Sequence, residues 1–153
     1  MLALNIKRIG RNSLFVLLAA TSFNAFAADK VLHLDVKEVL DPSFSSGQLD
    51  GSVKFYFAGQ STPKVLKSPE EDVTNKKSNA FGKRKEEACK WVMLSALLAL
   101  QESAKTRGAN AVIGITSYYK KVEYKSASQY ECHAGNMISG VALKGRYAKL
   151  ANK

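Results

Sequence analysis

Apolar and polar residues alternate with a period of two in two segments of the first half of the chain. This pattern predicts a strand over Val31–Leu40 and a second strand over Ser52–Phe57. Between Ala58 and Gly82 the residues are mostly Pro, Lys, Ser, Asn and acidic types, and two prolines interrupt any regular element. This composition predicts a long irregular connection with one short extended piece at Lys64–Lys67.

The clearest helix signal covers Lys83–Arg107, a run of good helix formers followed by a glycine suited to the C-cap. Between Trp91 and Leu100 every residue except Ser95 is apolar, so the helix is hydrophobic nearly all round. Two covers remain open: the 58–82 connection folds over the helix, or another subunit packs on it. The helix residues that would contribute to such an intersubunit contact are Trp91, Leu94, Leu97 and Leu98.

The last third of the chain is rich in Val, Ile, Thr and Tyr. It predicts strands over Ala111–Tyr124 and Gln129–Ala134, joined as a hairpin, and a final strand over Val141–Leu150. The whole pattern predicts an α+β fold. A small mixed or antiparallel sheet of about four to five strands packs on one long helix over residues 83–107.

The N-terminal pattern is of another kind. Three basic residues precede the apolar run Leu14–Ala20, and small residues follow at Ala25 and Ala27. This predicts a secretory signal over residues 1–27 that is cleaved near Ala27, leaving residues 28–153 as one domain exported to the periplasm. The apolar run is far shorter than the ~20 residues of a spanning helix, so we expect no transmembrane segment in the mature chain.

The net positive charge of the chain indicates a class of binding partner. The chain has 23 basic and 13 acidic residues, and only three of the basic ones lie in the predicted leader. A basic exported protein favours anionic partners, which in an envelope are lipopolysaccharide phosphates or acidic lipid headgroups, with nucleic acid the least favoured. The alternative is an ordinary solvated face. The candidate anion-binding residues are Lys120, Lys121, Lys144 and Arg146.

Two cysteines, Cys89 and Cys132, occur in the chain. An even number in an exported protein favours a disulfide between them, within one chain or between two. Two buried free thiols are one alternative. A catalytic Cys132 with His133 as its base is another, but neighbours on a strand point to opposite faces, which is poor geometry for that pair.

The remaining candidates for chemistry are few. His33 and His133 have no metal-ligand spacing around them. The acidic residues 70–72 cluster in the predicted 58–82 connection, where nothing places an acid–base pair. The chain contains neither a phosphate-loop motif nor a nucleophile elbow. We therefore expect a non-enzymatic protein with no catalytic residue, metal or cofactor.

Two segments carry a family resemblance. Residues 108–115, Gly-Ala-Asn-Ala-Val-Ile-Gly-Ile, end the predicted helix and enter a strand, and residues 141–145, Val-Ala-Leu-Lys-Gly, lie in the last strand. With their spacing they resemble the YbjQ-like family of small α+β proteins and the related core of the RcsF envelope-stress lipoproteins, over roughly residues 85–148. The mature chain also resembles a group of small exported proteobacterial proteins, some of which are labelled excinuclease ATPase subunit.

The resemblance implies a fold and, in outline, a role. YbjQ-like proteins are small oligomers, whereas the RcsF lipoproteins are sensors held by partner proteins and stiffened by two disulfides. This chain has no cysteine at the cleavage site and only two cysteines in all, so it departs from the RcsF pattern.

Three functions follow as expectations. The first is an exported envelope module that binds a protein partner or assembles with itself. The second is a binder of anionic lipopolysaccharide or acidic lipid through the basic strands. The third, implied by the resemblance alone, is a role like that of an envelope-stress sensor.

Overall fold

The protein is described by a computed structural model that covers residues 29–151. Six strands and one long helix form its frame, with two short helices between the first two strands. In chain order the elements are β1 (Lys30–Asp35), α1 (Lys37–Leu40), α2 (Pro42–Ser45), β2 (Lys54–Phe57), β3 (Val65–Asn79), α3 (Lys85–Thr106), β4 (Ala111–Ser117), β5 (Gln129–Ala134) and β6 (Ile138–Leu150). The predicted leader lies outside the described residues.

One mixed sheet contains all six strands, and β6 is its central strand. Along one edge β6 pairs with β3 over nearly its whole length; along the other it pairs first with β5 and then with β4. β1 adds antiparallel to β5, and β2 adds parallel to β4. The prediction of an α+β fold with a small mixed sheet on one long helix is confirmed, with six strands in place of four or five.

The helix α3 lies across one face of the sheet, which we call the inner face. Its start and end agree closely with the prediction, and Gly108 follows it in the left-handed conformation at φ 65°. The N–H of Ala109 donates to the carbonyl of Ala104 at 2.9 Å, which completes the helix C-cap. The core between helix and sheet includes Val92, Leu97 and residues facing them from β4, β5 and β6.

The all-round apolar character of α3 is satisfied within the chain. Beside the sheet, α1 packs against the helix, and Phe44 of α2 lies over Trp91 with ring centroids 4.8 Å apart. Leu94 and Leu97 are buried, Leu98 is half-buried, and Trp91 alone of the four predicted contact residues is exposed. Leu94 and Leu97 are therefore core residues of this chain and present no surface to a partner.

The predicted strand over Val31–Leu40 is wrong in its second half. β1 ends at Asp35, whose carboxylate accepts a hydrogen bond from the N–H of Lys37 at 2.8 Å and so turns the chain into α1. Asp41 then caps α2, which begins at Pro42. Local side-chain bonds by the two aspartates override the apolar alternation.

The predicted irregular connection over 58–82 is also wrong, because 15 of its residues form β3. β3 is an edge strand that pairs only with β6 among the described strands. Backbone hydrogen bonds to β6 hold this strand, and half of its side chains face solvent. Its sequence therefore lacks the alternation of apolar and polar residues that predicts a strand. The register of β3 against β6 shifts between Lys67 and Glu70.

The predicted hairpin between the strands at 111–124 and 129–134 does not form. β4 stops at Ser117, and the chain then makes a short 3₁₀ turn at Tyr119–Lys121 before it reaches β5. β5 pairs with β1 and β6 instead. β5 and β6 form the tight hairpin of this region, closed by the N–H of Gly135 on the carbonyl of Ile138 at 2.9 Å. The last strand begins at Ile138, three residues earlier than predicted.

Candidate functional site

Two histidines and one glutamate meet on the outer face of the sheet, the face opposite α3. Glu131 of β5 pairs in register with His33 of β1, and His133 lies two residues further along β5. Because side chains two residues apart on a strand share a face, all three point outward. Cys132, between Glu131 and His133, points inward and is fully buried.

The Glu131 carboxylate contacts both imidazoles. Its Oε1 lies 2.7 Å from His133 Nε2, and its Oε2 lies 3.5 Å from His33 Nε2. Side-chain exposure is 18% for Glu131, 16% for His133 and 42% for His33. A carboxylate on a ring nitrogen fixes the orientation of an imidazole, so Glu131 holds the His133 ring firmly and the His33 ring more loosely.

A tyrosine stacks on each of these rings. Tyr119 lies on His133 with centroids 3.4 Å apart and planes at 15°, and Tyr124 lies on His33 with centroids 4.3 Å apart and planes at 23°. The five residues form one continuous aromatic surface joined by a single carboxylate. We call this surface the histidine platform.

The connection between β4 and β5 brings the tyrosines to the platform. It folds back over the outer face, where Ser117 and Tyr124 exchange backbone hydrogen bonds of 3.0 and 2.9 Å. The hydroxyl of Ser117 also accepts the N–H of Glu131 at 2.8 Å. Lys120 and Lys121 follow Tyr119 with φ of 50° and 65°, a left-handed conformation that non-glycine residues adopt at a cost of order 1 kcal/mol each.

One ion pair and one cation–π contact join the same connection to β6. Lys144 Nζ lies 2.5 Å from Glu123 Oε1 and 4.8 Å from the centroid of the Tyr118 ring. The hydrogen bond from Lys144 lowers the pKa of Glu123, and the reciprocal bond raises the pKa of Lys144. The charge of Lys144 is thus used within the chain.

Two open clefts are both lined by Tyr119 and His133. One has a volume of about 430 Å³ and is lined also by Lys77, Asn136 and Met137. The other, of about 480 Å³, is lined also by Lys120, Val122 and Glu131. Asp29 borders both clefts.

The rim of the platform combines exposed apolar side chains with free cations. Val122 is 69% exposed, Met137 61% and Ile138 55%. Within residues 29–151, no carboxylate lies within 4.0 Å of the amine of Lys77 or Lys120. Exposed apolar groups beside aromatic ones are typical of binding surfaces.

The four predicted anion-binding residues have different settings. Lys120 and Lys121 are exposed beside the platform, and the strand register places Arg146 and Lys144 on the outer face of β6. Lys144 is paired with Glu123, whereas Lys77, Lys120, Lys121 and the exposed Arg146 have no ion-pair partner within 4.0 Å among residues 29–151.

The acidic residues at 70–72 lie apart from the platform, at the end of α3. Arg107 Nε is 3.4 Å from Glu70, and its Cζ lies 4.7 Å from the centroid of the Tyr147 ring. The Tyr147 hydroxyl donates to Asp72 at 3.0 Å, and burial raises the pKa of that hydroxyl. These contacts join β3, β6 and the helix, which is a structural role.

The predicted disulfide is confirmed. Cys89 of α3 and Cys132 of β5 are bonded within one chain, with their Cα atoms 5.9 Å apart. Both cysteines of the sequence are in this bond, so Cys132 has no free thiol to act as a nucleophile.

Across residues 29–151, no group of three or more His, Cys, Asp or Glu side chains is placed to hold a metal ion. Among the described helices, none is long and apolar enough to cross a membrane.

Comparison with known proteins adds no relative: no family model, curated protein or solved structure matches the chain. The site must be understood from its own geometry.

Sequence reasoning found some of the platform residues and missed how they combine. It singled out both histidines, without a platform partner for either. It could not find the role of Glu131, Tyr119 or Tyr124, because that role depends on the pairing of β1 with β5 and on the fold-back of residues 118–128. The period-two spacing of Glu131 and His133 was the one local signal.

Proposed function

We propose that this protein is an exported, non-catalytic envelope protein that binds another protein through the histidine platform. The observation that carries the proposal is the platform itself, a stacked aromatic surface bordered by exposed Val122, Met137 and Ile138. Aromatic residues and Met are enriched where proteins bind each other, and rigid aromatic anchors bind at a low cost in side-chain entropy. The export signal predicted over residues 1–27 supports the compartment.

The geometry of the histidines favours binding over catalysis. A tyrosine covers a face of each imidazole, and both Nε2 atoms face one carboxylate. This arrangement leaves the Nδ1 atom of each ring uncontacted by that carboxylate, just as the carboxylate of a catalytic triad leaves one ring nitrogen for the nucleophile. Catalysis would therefore also need a nucleophile beside the ring, and the sequence offered Cys132 for that role. The two cysteines are held in the disulfide on the inner side of the sheet.

Surface variants test the proposal. Met137→Asp and Tyr119→Ala alter the platform, and Gln48→Asp alters an exposed position that contacts α3 on the other side of the molecule. Anchor residues of interfaces cost more than about 1 kcal/mol when removed. We therefore expect at least about a fivefold loss of partner affinity for the platform variants and no loss for Gln48→Asp. Equal losses in all three variants would contradict the proposal.

Anionic envelope ligands are the second candidate, supported by Lys77 and Lys120 at the clefts. Binding through these lysines should weaken as salt is raised, since exposed charges are screened over about 10 Å at 0.1 M ionic strength. Vesicles of acidic lipid, vesicles of neutral lipid and lipopolysaccharide are the probes. Binding to the acidic surfaces that Lys120→Ala weakens would favour this candidate; no binding, or binding without salt dependence, would remove it.

The finer fold assignment, YbjQ-like or RcsF-like, is part of the same proposal. Its support is the role of the residues that carry the resemblance. Gly108 caps α3, and the side chain of Asn110 bonds the backbone of Leu150 twice, at 2.8 and 3.0 Å. Gly145 leaves room for Val112, whose Cγ1 would lie 2.8 Å from a Cβ at that position. An experimental structure compared with both families tests the assignment, and a different strand order from theirs would overturn it.

A further inference from the structure

The outer edge of β3 is a long, regular strand edge without a partner in the described chain. From Glu70 to Asn79 every residue of β3 pairs with one residue of β6, without a bulge, and no other described strand pairs with β3. Natural proteins usually protect such edges with bulges, prolines or interspersed charges. Here the register shift lies before the regular part, so the ten residues Glu70–Asn79 are protected only by their five charged side chains.

The charges of this edge are segregated. Acidic residues occupy positions 70–72, and Lys76 and Lys77 follow after three uncharged residues. An antiparallel copy of the same segment reverses this order and brings acidic residues opposite lysines. A parallel copy would place like charges together, which destabilises cross-strand pairs.

One strand register pairs residues of opposite charge and also keeps each pair on one face of the sheet. Directly opposed residues in an antiparallel pair lie on the same face of the sheet, so a symmetric pair must join residues of the same parity. A two-fold axis through Thr74 places Glu71 opposite Lys77 on the outer face and Asp72 opposite Lys76 on the inner face. The exposure along β3 follows this parity, with Glu71 and Lys77 exposed and Asp72 and Lys76 half-buried.

The charges required for this register are largely free. Within residues 29–151, neither Glu71, Lys76 nor Lys77 has an ion-pair partner within 4.0 Å. The edge N–H of Val73 donates to the half-buried carboxylate of its neighbour Asp72 at 2.8 Å, and that carboxylate also accepts the Tyr147 hydroxyl and lies 3.6 Å from Arg107. That local bond can be exchanged for one to a partner strand.

We propose that the edge of β3 from Glu71 to Lys77 binds the same edge of a second copy of this chain, antiparallel about a two-fold axis at Thr74. The two sheets become one continuous sheet, with α3 of both copies on the same side. This surface meets the platform at Lys77, which also lines a cleft beside Tyr119 and His133, and it replaces the helix surface as the site of self-association.

Charge exchange tests the proposal on the processed protein by native mass spectrometry and sedimentation. Glu71→Lys and Lys77→Glu each turn two attractive pairs of the dimer into two repulsive ones. We expect each variant to lower dimer affinity about tenfold or more, and an equimolar mixture to recover it as a heterodimer, because the two changes complement each other. Recovery in the mixture also shows that both variants are folded.

Single cysteines test the register. Thr74→Cys should form a disulfide between copies, since the two side chains meet at the axis. Val73→Cys alone should not form such a disulfide, but a mixture of Val73→Cys and Asn75→Cys should form one, because residues 73 and 75 face each other in this register. The proposal is overturned if the wild-type protein stays monomeric. It is also overturned if neither charge variant weakens the dimer, or if Val73→Cys forms disulfides efficiently with itself. A β3 edge that crosslinks only to a different protein overturns it as well.

Discussion

Cys132 and His133 are neighbours in the sequence, but their side chains lie on opposite faces of β5. Cys132 is buried and bonded to α3 through Cys89, while His133 stacks under Tyr119 on the outer face. One strand therefore connects the cross-linked core to the candidate binding surface.

Loss of the disulfide should destabilise the whole domain. The bond closes a loop between residues 43 apart in the sequence, which in the chain-entropy model stabilises the fold by about 4 kcal/mol. We expect a Cys89→Ala/Cys132→Ala double variant to lose stability of this order in urea unfolding monitored by circular dichroism. Reductant should lower the wild-type midpoint and leave that of the double variant unchanged. Equal midpoints of oxidised and reduced wild type would contradict the expectation.

Gly145→Ala should be costly, although alanine is small. A Cβ at this position would lie 2.8 Å from Val112 Cγ1 and 3.3 Å from Ile115 Cγ1, and overpacking in a core costs about 1–3 kcal/mol. Gly140→Ala on the same strand is the control, since its nearest neighbour is 3.7 Å away. Urea unfolding should show a clear loss for the first variant and a small one for the second. Val112→Ala should restore part of the loss.

Asn110 stabilises the end of β6 through two hydrogen bonds to Leu150, one donated by its amide and one accepted by its carbonyl oxygen. Each net bond is worth about 1 kcal/mol. Asn110→Ala should therefore lower the free energy of unfolding by about 2 kcal/mol, and amide exchange at Leu150 should accelerate. Asn136→Ala, at an exposed turn, should change neither quantity. Unchanged exchange at Leu150 in Asn110→Ala would refute this role.

The Glu123–Lys144 pair should make stability depend on pH in the acid range. Lys144 lowers the pKa of Glu123 below its ordinary value of 4.5. The contribution of the pair is thus fully present above that value and is lost as pH falls through the lowered pKa. Glu123→Gln should reduce the loss of stability between about pH 5 and 3 relative to wild type, measured as urea midpoints. Parallel midpoint curves for the two proteins would show that the pair contributes nothing.

Local sequence patterns predicted those elements that bury a repeating apolar face. The strand over 129–134 belongs to this group, whereas the helix over 85–106 was predicted from its helix formers and C-cap glycine, and the disulfide from an even number of cysteines in an exported chain. β3 escaped prediction because an edge strand with polar side chains on both faces has no such pattern. The strand predicted at Val31–Leu40 was too long because an aspartate cap, which acts over two residues, outweighs the apolar alternation.

The histidine platform could be predicted only in part for a related reason. Its residues come from β1, β5 and the connection that follows β4, and their meeting depends on which strands pair. The predicted hairpin would have put the strand at 111–124 beside β5 along its length, whereas the actual pairing leaves Tyr119 and Tyr124 free to stack on the outer face.

Crosslinking of the exported protein in its own cells tests the central claim most directly. A photoreactive residue at Val122 or Met137 reports on the platform, and one at Gln48 on the opposite side is the matched control. We expect a discrete crosslinked partner from both platform positions, none from Gln48, and loss of the product when Tyr119→Ala and His133→Ala are added. Crosslinks of equal yield from all three positions, or platform crosslinks that the two added substitutions leave intact, would contradict a binding role for the platform.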